Sequence, residues 1–417
     1  MDTSREWAKA LDAGDPLASY AAAFVSTDPD LVYFDGNSLG RLPIRTVDAL
    51  SRAVTKGWGD QLVRGWGSWI DLPIQVGDRL GRAALGAAPG QVVVCDSTTV
   101  NLYKLAGAAL DARVGRRVVV TDKANFPTDR YVVEGLAAAR GLTVRLVGTD
   151  SLLGVRADDV REAVDGDVAL VTFSHVDYRS GAIAEVAAVN GIAHRAGALV
   201  LWDMSHAVGS VPVDLDGWGV DLAVGCSYKY LNGGPGAPAW LYVRRDLQDV
   251  LVPPIWGWFG QDDQFAMRPG YSPAPGIRRW LAGTPPVLGL VAVDEGIAIL
   301  EDAQLDRVRA KGEALTTYAI SLADAWLAPL GFTLASPRDP CQRGSHIALR
   351  HPEASRLSLA LIDARVVPDF RAPDVLRIGL SPLSTRFAEV RDGLDRLCEL
   401  ASEHAWDRYD AQPGRVS

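Results

Sequence analysis

The chain has 417 residues, 48% of them hydrophobic and 22% charged, enough mass for a substantial core and for two domains. Its formal net charge of −9, from 42 Lys plus Arg against 51 Asp plus Glu, argues against nucleic acid as a main partner. No apolar run approaches the ~20 residues that cross a bilayer, and residues 1–6 lack the basic and apolar regions of a signal peptide, so a cytoplasmic protein without a membrane partner is expected.

In chain order, residues 1–50 read as an N-terminal segment packing with a small domain, residues 51–295 as a large domain and residues 296–417 as the small C-terminal domain. From about residue 90, short β-branched runs alternate with helical segments. Residues 116–121, 143–147, 167–173, 198–203, 221–224 and 240–243 read as strands, several of them nearly all apolar. Such runs predict an α/β fold whose mostly parallel sheet is flanked by helices on both faces. Between them, residues 128–140 carry helical spacing up to Gly141, and residues 186–195 are stopped by Gly197. Residues 250–290 break the rhythm with Pro, Gly and Trp, a composition that suits a shaped binding surface. One long helix is expected from Val287 to Lys311, followed by a smaller α/β unit and a frayed tail over residues 410–417.

The chemistry begins with a scarce residue. Only six lysines are present, and Lys229 sits in the run Gly225-Cys226-Ser227-Tyr228-Lys229-Tyr230-Leu231-Asn232-Gly233-Gly234, just past an apolar strand. The other five, Lys9, Lys56, Lys104, Lys123 and Lys311, lie in polar or helical contexts without a companion acid. Upstream, the strand ending in Trp202 is followed by Asp203, Met204, Ser205 and His206. A lysine that can carry an aldehyde as an imine, with an aspartate that can keep a pyridine nitrogen protonated, suggests pyridoxal phosphate. Taken singly, each has an ordinary explanation, a solvated loop cation and a turn or helix cap. Their joint position at the ends of strands is what points to a site.

Two further stretches fit that cofactor. Phe126-Pro127-Thr128-Asp129 follows a strand and opens a helix, so Phe126 can stack on a ring, although a hydrophobic staple ahead of a Thr128 cap explains it equally well. Ser97-Thr98-Thr99 opens another helix, where backbone N–H groups and the hydroxyls of Thr98 and Thr99 suit a phosphate. Four scattered cysteines, Cys95, Cys226, Cys341 and Cys398, form no CxxC pair, which fits a reducing compartment and argues against zinc or a disulfide framework. No HxxxH spacing or carboxylate cluster suggests a metal. His175, directly after a strand, and His346, in Arg343-Gly344-Ser345-His346, are read as structural histidines ahead of general acids.

The chain resembles kynureninases, members of the aspartate aminotransferase-like (fold type I) pyridoxal phosphate enzymes. The resemblance rests on Tyr33-Phe34-Asp35-Gly36-Asn37-Ser38-Leu39-Gly40, Thr99-Val100-Asn101-Leu102, Phe126-Pro127-Thr128-Asp129, Asp203-Met204-Ser205-His206-Ala207-Val208-Gly209, Trp218-Gly219-Val220-Asp221, the lysine loop and Gly257-Trp258-Phe259-Gly260. These keep their order up to Arg377, in Leu376-Arg377-Ile378-Gly379-Leu380-Ser381-Pro382. The resemblance implies that Lys229 holds the cofactor and shuttles protons, that Asp203 pairs with the pyridinium, and that Phe126 and Asp129 stack on and bond near the ring. It places Ser174 and His206 in the cofactor pocket, Thr98, Thr99 and Tyr228 at the phosphate, and Trp258 and Thr284 across the interface of a homodimer with shared active sites. Tyr228 is also the candidate proton donor. Arg377 would clamp the α-carboxylate of an amino-acid substrate, a task for a bidentate guanidinium, with Asn37, Ser38 and Trp66 as further substrate contacts.

The implied reaction is hydrolysis of L-kynurenine to anthranilate and L-alanine by cleavage between Cβ and Cγ. Residues at Trp66 and Thr284 suggest the unsubstituted ring, with 3-hydroxykynurenine or another ring-substituted kynurenine as alternatives. Two rivals stand beside it. Cys341, well downstream of Lys229, would suit a cysteine desulfurase, although Asp339-Pro340-Cys341-Gln342-Arg343 lacks a small flexible loop. A non-catalytic pyridoxal-binding paralogue is the other, and the intact Lys229, Asp203 and Arg377 weigh against it.

Overall fold

The structure is a computed structural model that describes residues 2–150 and 152–410. A short strand β1 (Val32–Tyr33) precedes a seven-stranded sheet built from β2 (Val92–Val94), β3 (Val118–Asp122), β4 (Thr143–Val147), β5 (Val168–Ser174), β6 (Leu199–Asp203), β7 (Leu222–Gly225) and β8 (Trp240–Val243). Its order is β2-β8-β7-β6-β5-β3-β4. Only β8 runs against its neighbours; the other pairings are parallel. The central strands are buried except at Ser174, the last residue of β5, as their near-continuous apolar sequences require when helices cover both faces. The edge strand β4 alternates with exposed positions. Helices Thr98–Asp111, Pro127–Arg140 and Val186–Arg195 flank the sheet.

A second sheet follows, formed by β9 (Thr333–Leu334), β10 (His346–Arg350), β12 (Asp369–Arg371) and β13 (Val375–Gly379), antiparallel in the order β12-β13-β10-β9, while β11 (Val366–Val367) pairs in parallel with β1. Its core joins Ala8, Val32 and Phe34 to Leu315, Leu349, Leu376 and Leu394, so the beginning of the chain shares a hydrophobic cluster with its end. Full burial of a side chain such as Phe34 contributes about 2–3 kcal/mol. The large sheet has its own clusters, with Phe173, Trp202 and Trp240 on one face and Leu170, Leu201 and Leu241 on the other.

Two expectations are corrected. The single helix predicted over 287–311 is two, Val287–Ala303 and Leu305–Leu322, because Gln304 takes a left-handed φ of 67° and redirects the chain. Lys56, Lys104 and Lys311 also have companion acids, Lys56 in an exposed pair with Asp60 four residues on at 3.3 Å. Lys104 is fully buried and bonds Asp96 at 2.6 Å and the Trp280 carbonyl at 2.7 Å, and Lys311 meets Asp15 at 2.7 Å. The acids of Lys104 and Lys311 are distant in sequence or behind a turn, so local context hid them. Of the tail over 410–417, residues 411–417 lie outside the described residues.

Candidate active site

Parallel strands end on the same side of a sheet, so the segments after β3, β5, β6 and β7 converge on one edge. They carry, respectively, Phe126 with Asp129, Ser174 with His175, Asp203 with His206, and the loop of Lys229. Strand β2 is antiparallel to β8, as β7 is, and therefore delivers Ser97, Thr98 and Thr99 to the same edge at the start of a helix. Ser97 caps that helix by accepting from the Val100 N–H. Thr98 is half-buried and Thr99 exposed.

The centre is a contact between Lys229 and His206. The Lys229 Nζ lies 3.1 Å from His206 Nε2 and 3.4 Å from Nδ1. Burial lowers the lysine's pKa, and burial followed by the charge of Lys229 pushes that of the histidine well below its ordinary value. A neutral imidazole therefore faces an amine that gives up its proton easily. Next to them, Ser174 and Asp203 are register partners on β5 and β6. Ser174 donates to Asn125 Oδ1 at 2.8 Å, and Asp203 Oδ1 accepts the Ser205 N–H at 2.8 Å. Asp129 adjoins Asp203; burial and then the Asp203 charge raise its pKa, and its Oδ2 has no hydrogen-bond partner. Phe126 occupies the N-cap position of the helix Pro127–Arg140 and meets Tyr178 edge-on at 5.2 Å, so the helix starts before Thr128 and Thr128 is not its cap. Tyr228 is half-buried, and burial raises its phenol pKa.

The chain's N-terminal segment closes this centre. The Gly40 N–H donates to the Tyr228 carbonyl at 2.7 Å, and a Cβ on Gly40 would stand 2.2 Å from the Lys229 carbonyl. Only glycine lets the two loops meet so closely. Ser38 Oγ accepts from Arg377 Nη2 at 3.2 Å, and Asn37, fully buried with both amide atoms unpartnered, occupies the space above Gly379. Arg377 is 1% exposed and is held by Asp369 and by the Tyr178 carbonyl. Burial lowers its pKa to about 10.

Three expected residues are not brought to this centre by any hydrogen bond or ring contact among the described residues. Trp66 packs instead on Trp69 and Phe259, Trp258 is 42% exposed against Phe259 and Phe265, and Thr284 is exposed. His175 and His346 are both buried, and burial lowers the pKa of each. Cys341 lines a different cleft, with His175, Trp218 and Arg309. Sequence reasoning missed Asn125, Asp369 and Arg371. Asp369 and Arg371 had a weak signal, a strand-like Asp369-Phe370-Arg371 just before Arg377, but only strand pairing sets Asp369 opposite Arg377.

Comparison with known proteins is consistent over almost the whole chain. Residues 308–397 match the family model described as the kynureninase C-terminal domain. The chain is 40% identical to a kynureninase of Pseudomonas fluorescens over 98% of both chains, and 39% identical to one of Burkholderia pseudomallei (strain 1106a) over 97% of both. Among solved structures it resembles the apo cysteine desulfurase of Thermococcus onnurineus NA1, with a TM-score of 0.80 at 19% identity over 95% of this chain and 98% of that one. It also resembles a C-DES mutant, K223A, with glycine covalently linked to its pyridoxal phosphate, with a TM-score of 0.78 at 16% identity over 89% and 97% of the two chains. At these identities the structural likeness shows the shared fold type I architecture.

Proposed function

We propose a reaction scheme for this chain on the premise that it belongs to the kynureninase family. It is a pyridoxal phosphate enzyme that hydrolyses kynurenine. The cofactor, when bound, supplies an aldehyde that condenses with amines and a ring that withdraws electrons from the substrate's Cα. The residues present fit it: an amine with a lowered pKa at Lys229, a carboxylate at the end of β6, an unpartnered Asp129 oxygen, and a helix start with Ser97, Thr98 and Thr99 for the phosphate.

In this scheme Asp203 would hold the pyridine N–H, beside Asp129, whose pKa burial and then the Asp203 charge raise. Phe126 would pack on the ring of the cofactor, and Ser174 and His206 would supply polar contacts to it. Lys229 takes the proton from Cα and returns it, and His206, neutral and 3.1 Å away, steadies the amine. Arg377, Ser38 and Asn37 would hold the α-carboxylate and so orient the substrate's Cα. Tyr228 delivers a proton as water adds to the γ-carbonyl and the Cβ–Cγ bond breaks, giving anthranilate and L-alanine. A preference for the unsubstituted ring rests on the family resemblance at Trp66 and Thr284, neither of which, among the described residues, touches the Lys229 centre within the one chain. The exposed Trp258 and Thr284 meet the neighbouring site in a homodimer, and four unpaired cysteines suit the cytoplasm.

The observation that carries the scheme is the approach of Lys229, His206, Asp203 and Arg377, from three separate segments, to within electrostatic reach of one another. The test is to purify the protein with pyridoxal phosphate and supply kynurenine and 3-hydroxykynurenine in parallel, with Lys229→Ala as control. Alanine should appear in equal amounts with anthranilate and vanish in the variant. A lysine-dependent yellow chromophore without either product would overturn the substrate assignment and keep the cofactor.

A further inference from the structure

The substrate's carboxylate anchor, as read above, has a difficulty. Arg377 is 1% exposed, and all three of its nitrogens already bond protein acceptors: Nε and Nη2 meet Asp369, Nη1 meets the Tyr178 carbonyl, and Nη2 also reaches Ser38. A group so enclosed holds a carboxylate well once it has arrived, but it presents little to a carboxylate that approaches.

Strand pairing sets a second guanidinium beside it. Asp369 is the register partner of Arg377, and Arg371 follows two residues later, so the three side chains share one face of the β12–β13 pair. The same oxygen, Asp369 Oδ2, accepts from Arg377 and, at 3.0 Å, from Arg371 Nε. One carboxylate thus bridges two guanidiniums, with Asp35 and Asp177 as further acidic neighbours of Arg377. The two arginines differ in access: the Arg371 side chain is 37% exposed. Its charge reaches inward nonetheless, lowering the pKa of Lys229, His206 and His346. Arg371 is therefore the member of the pair that solvent reaches, and Arg377 the buried one.

We propose that Arg371 is a second substrate anchor, the outer half of a two-arginine site that captures the α-carboxylate of the amino-acid substrate and passes it to Arg377, with Asp369 holding the two guanidiniums at a fixed separation. Asp369 itself shows that one carboxylate can be held by both arginines at once, through the single oxygen Oδ2. The inference rests on the family reading of Arg377 and adds a residue to it.

The test separates the two. In the wild-type holoenzyme, calorimetry gives dissociation constants for L-alanine, which has the amine and the carboxylate, and for L-alaninamide, which lacks the charge. Arg371→Gln should weaken L-alanine about tenfold, the value of one charge-assisted hydrogen bond, and leave L-alaninamide within about twofold. Arg371→Lys, which keeps the charge, should recover most of the L-alanine affinity. The KM for kynurenine in Arg371→Gln should rise, with a weaker dependence on ionic strength than in the wild type. Equal losses for both probes, or none for either, would overturn the anchor, as would an Arg371→Lys protein as weak as Arg371→Gln. Failure of the wild type to turn over kynurenine would instead overturn the reaction, since the probe ratio reads carboxylate recognition alone.

Discussion

Lys229 and His206 are 23 residues apart in sequence, yet their side chains meet at 3.1 Å because β6 and β7 are parallel neighbours that end at the same edge of the sheet. The contact joins two groups whose charged forms are both disfavoured by burial. A proton brought to this pair is held loosely, which suits an amine that must both give and take one.

Gly40→Ala tests the meeting of the N-terminal segment with the lysine loop. The new Cβ would stand 2.2 Å from the Lys229 carbonyl and 2.4 Å from Asn232 Oδ1, and both neighbours are held by the loop's own bonds. The loop must shift. Cofactor affinity should fall about tenfold or more, corresponding to at least ~1.4 kcal/mol of strain, measured by titrating the apoprotein and following the absorbance of the lysine adduct.

Arg377→Lys keeps a positive charge but loses the fork that bonds Asp369, the Tyr178 carbonyl and Ser38 together. Buried partners are left short of donors, at a cost of about 1–3 kcal/mol each. Both the KM for kynurenine and the thermal midpoint should move, KM upward by about tenfold or more and the midpoint downward. An unchanged midpoint with unchanged KM would show that Arg377 carries neither load.

Asp122 gives a pH signature. Burial and then the neighbouring Asp177 raise its pKa to about 7, from 3.8 in the unfolded chain. An acid with a raised folded-state pKa binds its proton more tightly when folded, so its contribution to stability is full below about pH 4 and is lost as pH climbs to about 7. Asp122→Asn does not titrate and keeps an acceptor for the Ala124 N–H, bonded at 2.7 Å. Its stability relative to wild type should therefore improve by about 1 kcal/mol or more between pH 5 and pH 8, read from urea unfolding at the two values.

Lys104→Met separates a structural lysine from the chemical one. Lys104 is fully buried between Asp96 and the Trp280 carbonyl. Removing one partner of a buried pair costs about 3 kcal/mol, so the unfolding midpoint should drop. The lysine-dependent chromophore should remain if, as proposed, it belongs to Lys229; its loss along with stability would reassign the cofactor lysine.

Much of this was legible along the chain. The apolar runs ending in Asp203 and ahead of Lys229 are the central strands β6 and β7, because a strand buried on both faces can only be written in apolar residues. The motifs around Asn37, Asp129, Lys229 and Arg377 marked the family because each is contiguous. What the sequence could not place were relationships set by pairing and burial. Asp96 beside Lys104, Asp15 beside Lys311 and Asp369 between two arginines are neighbours through packing, strand register or a turn, and no local spacing announces them. The break at Gln304 was equally hidden, since residues on both sides favour helix and only the packing of the two helices decides where the chain turns. Sequence by itself determined which residue types were available for imine, carboxylate and proton chemistry. The tertiary structure alone decided which of them share a cleft, since desolvation and hydrogen bonding depend on who is within a few ångströms, whatever the distance along the chain.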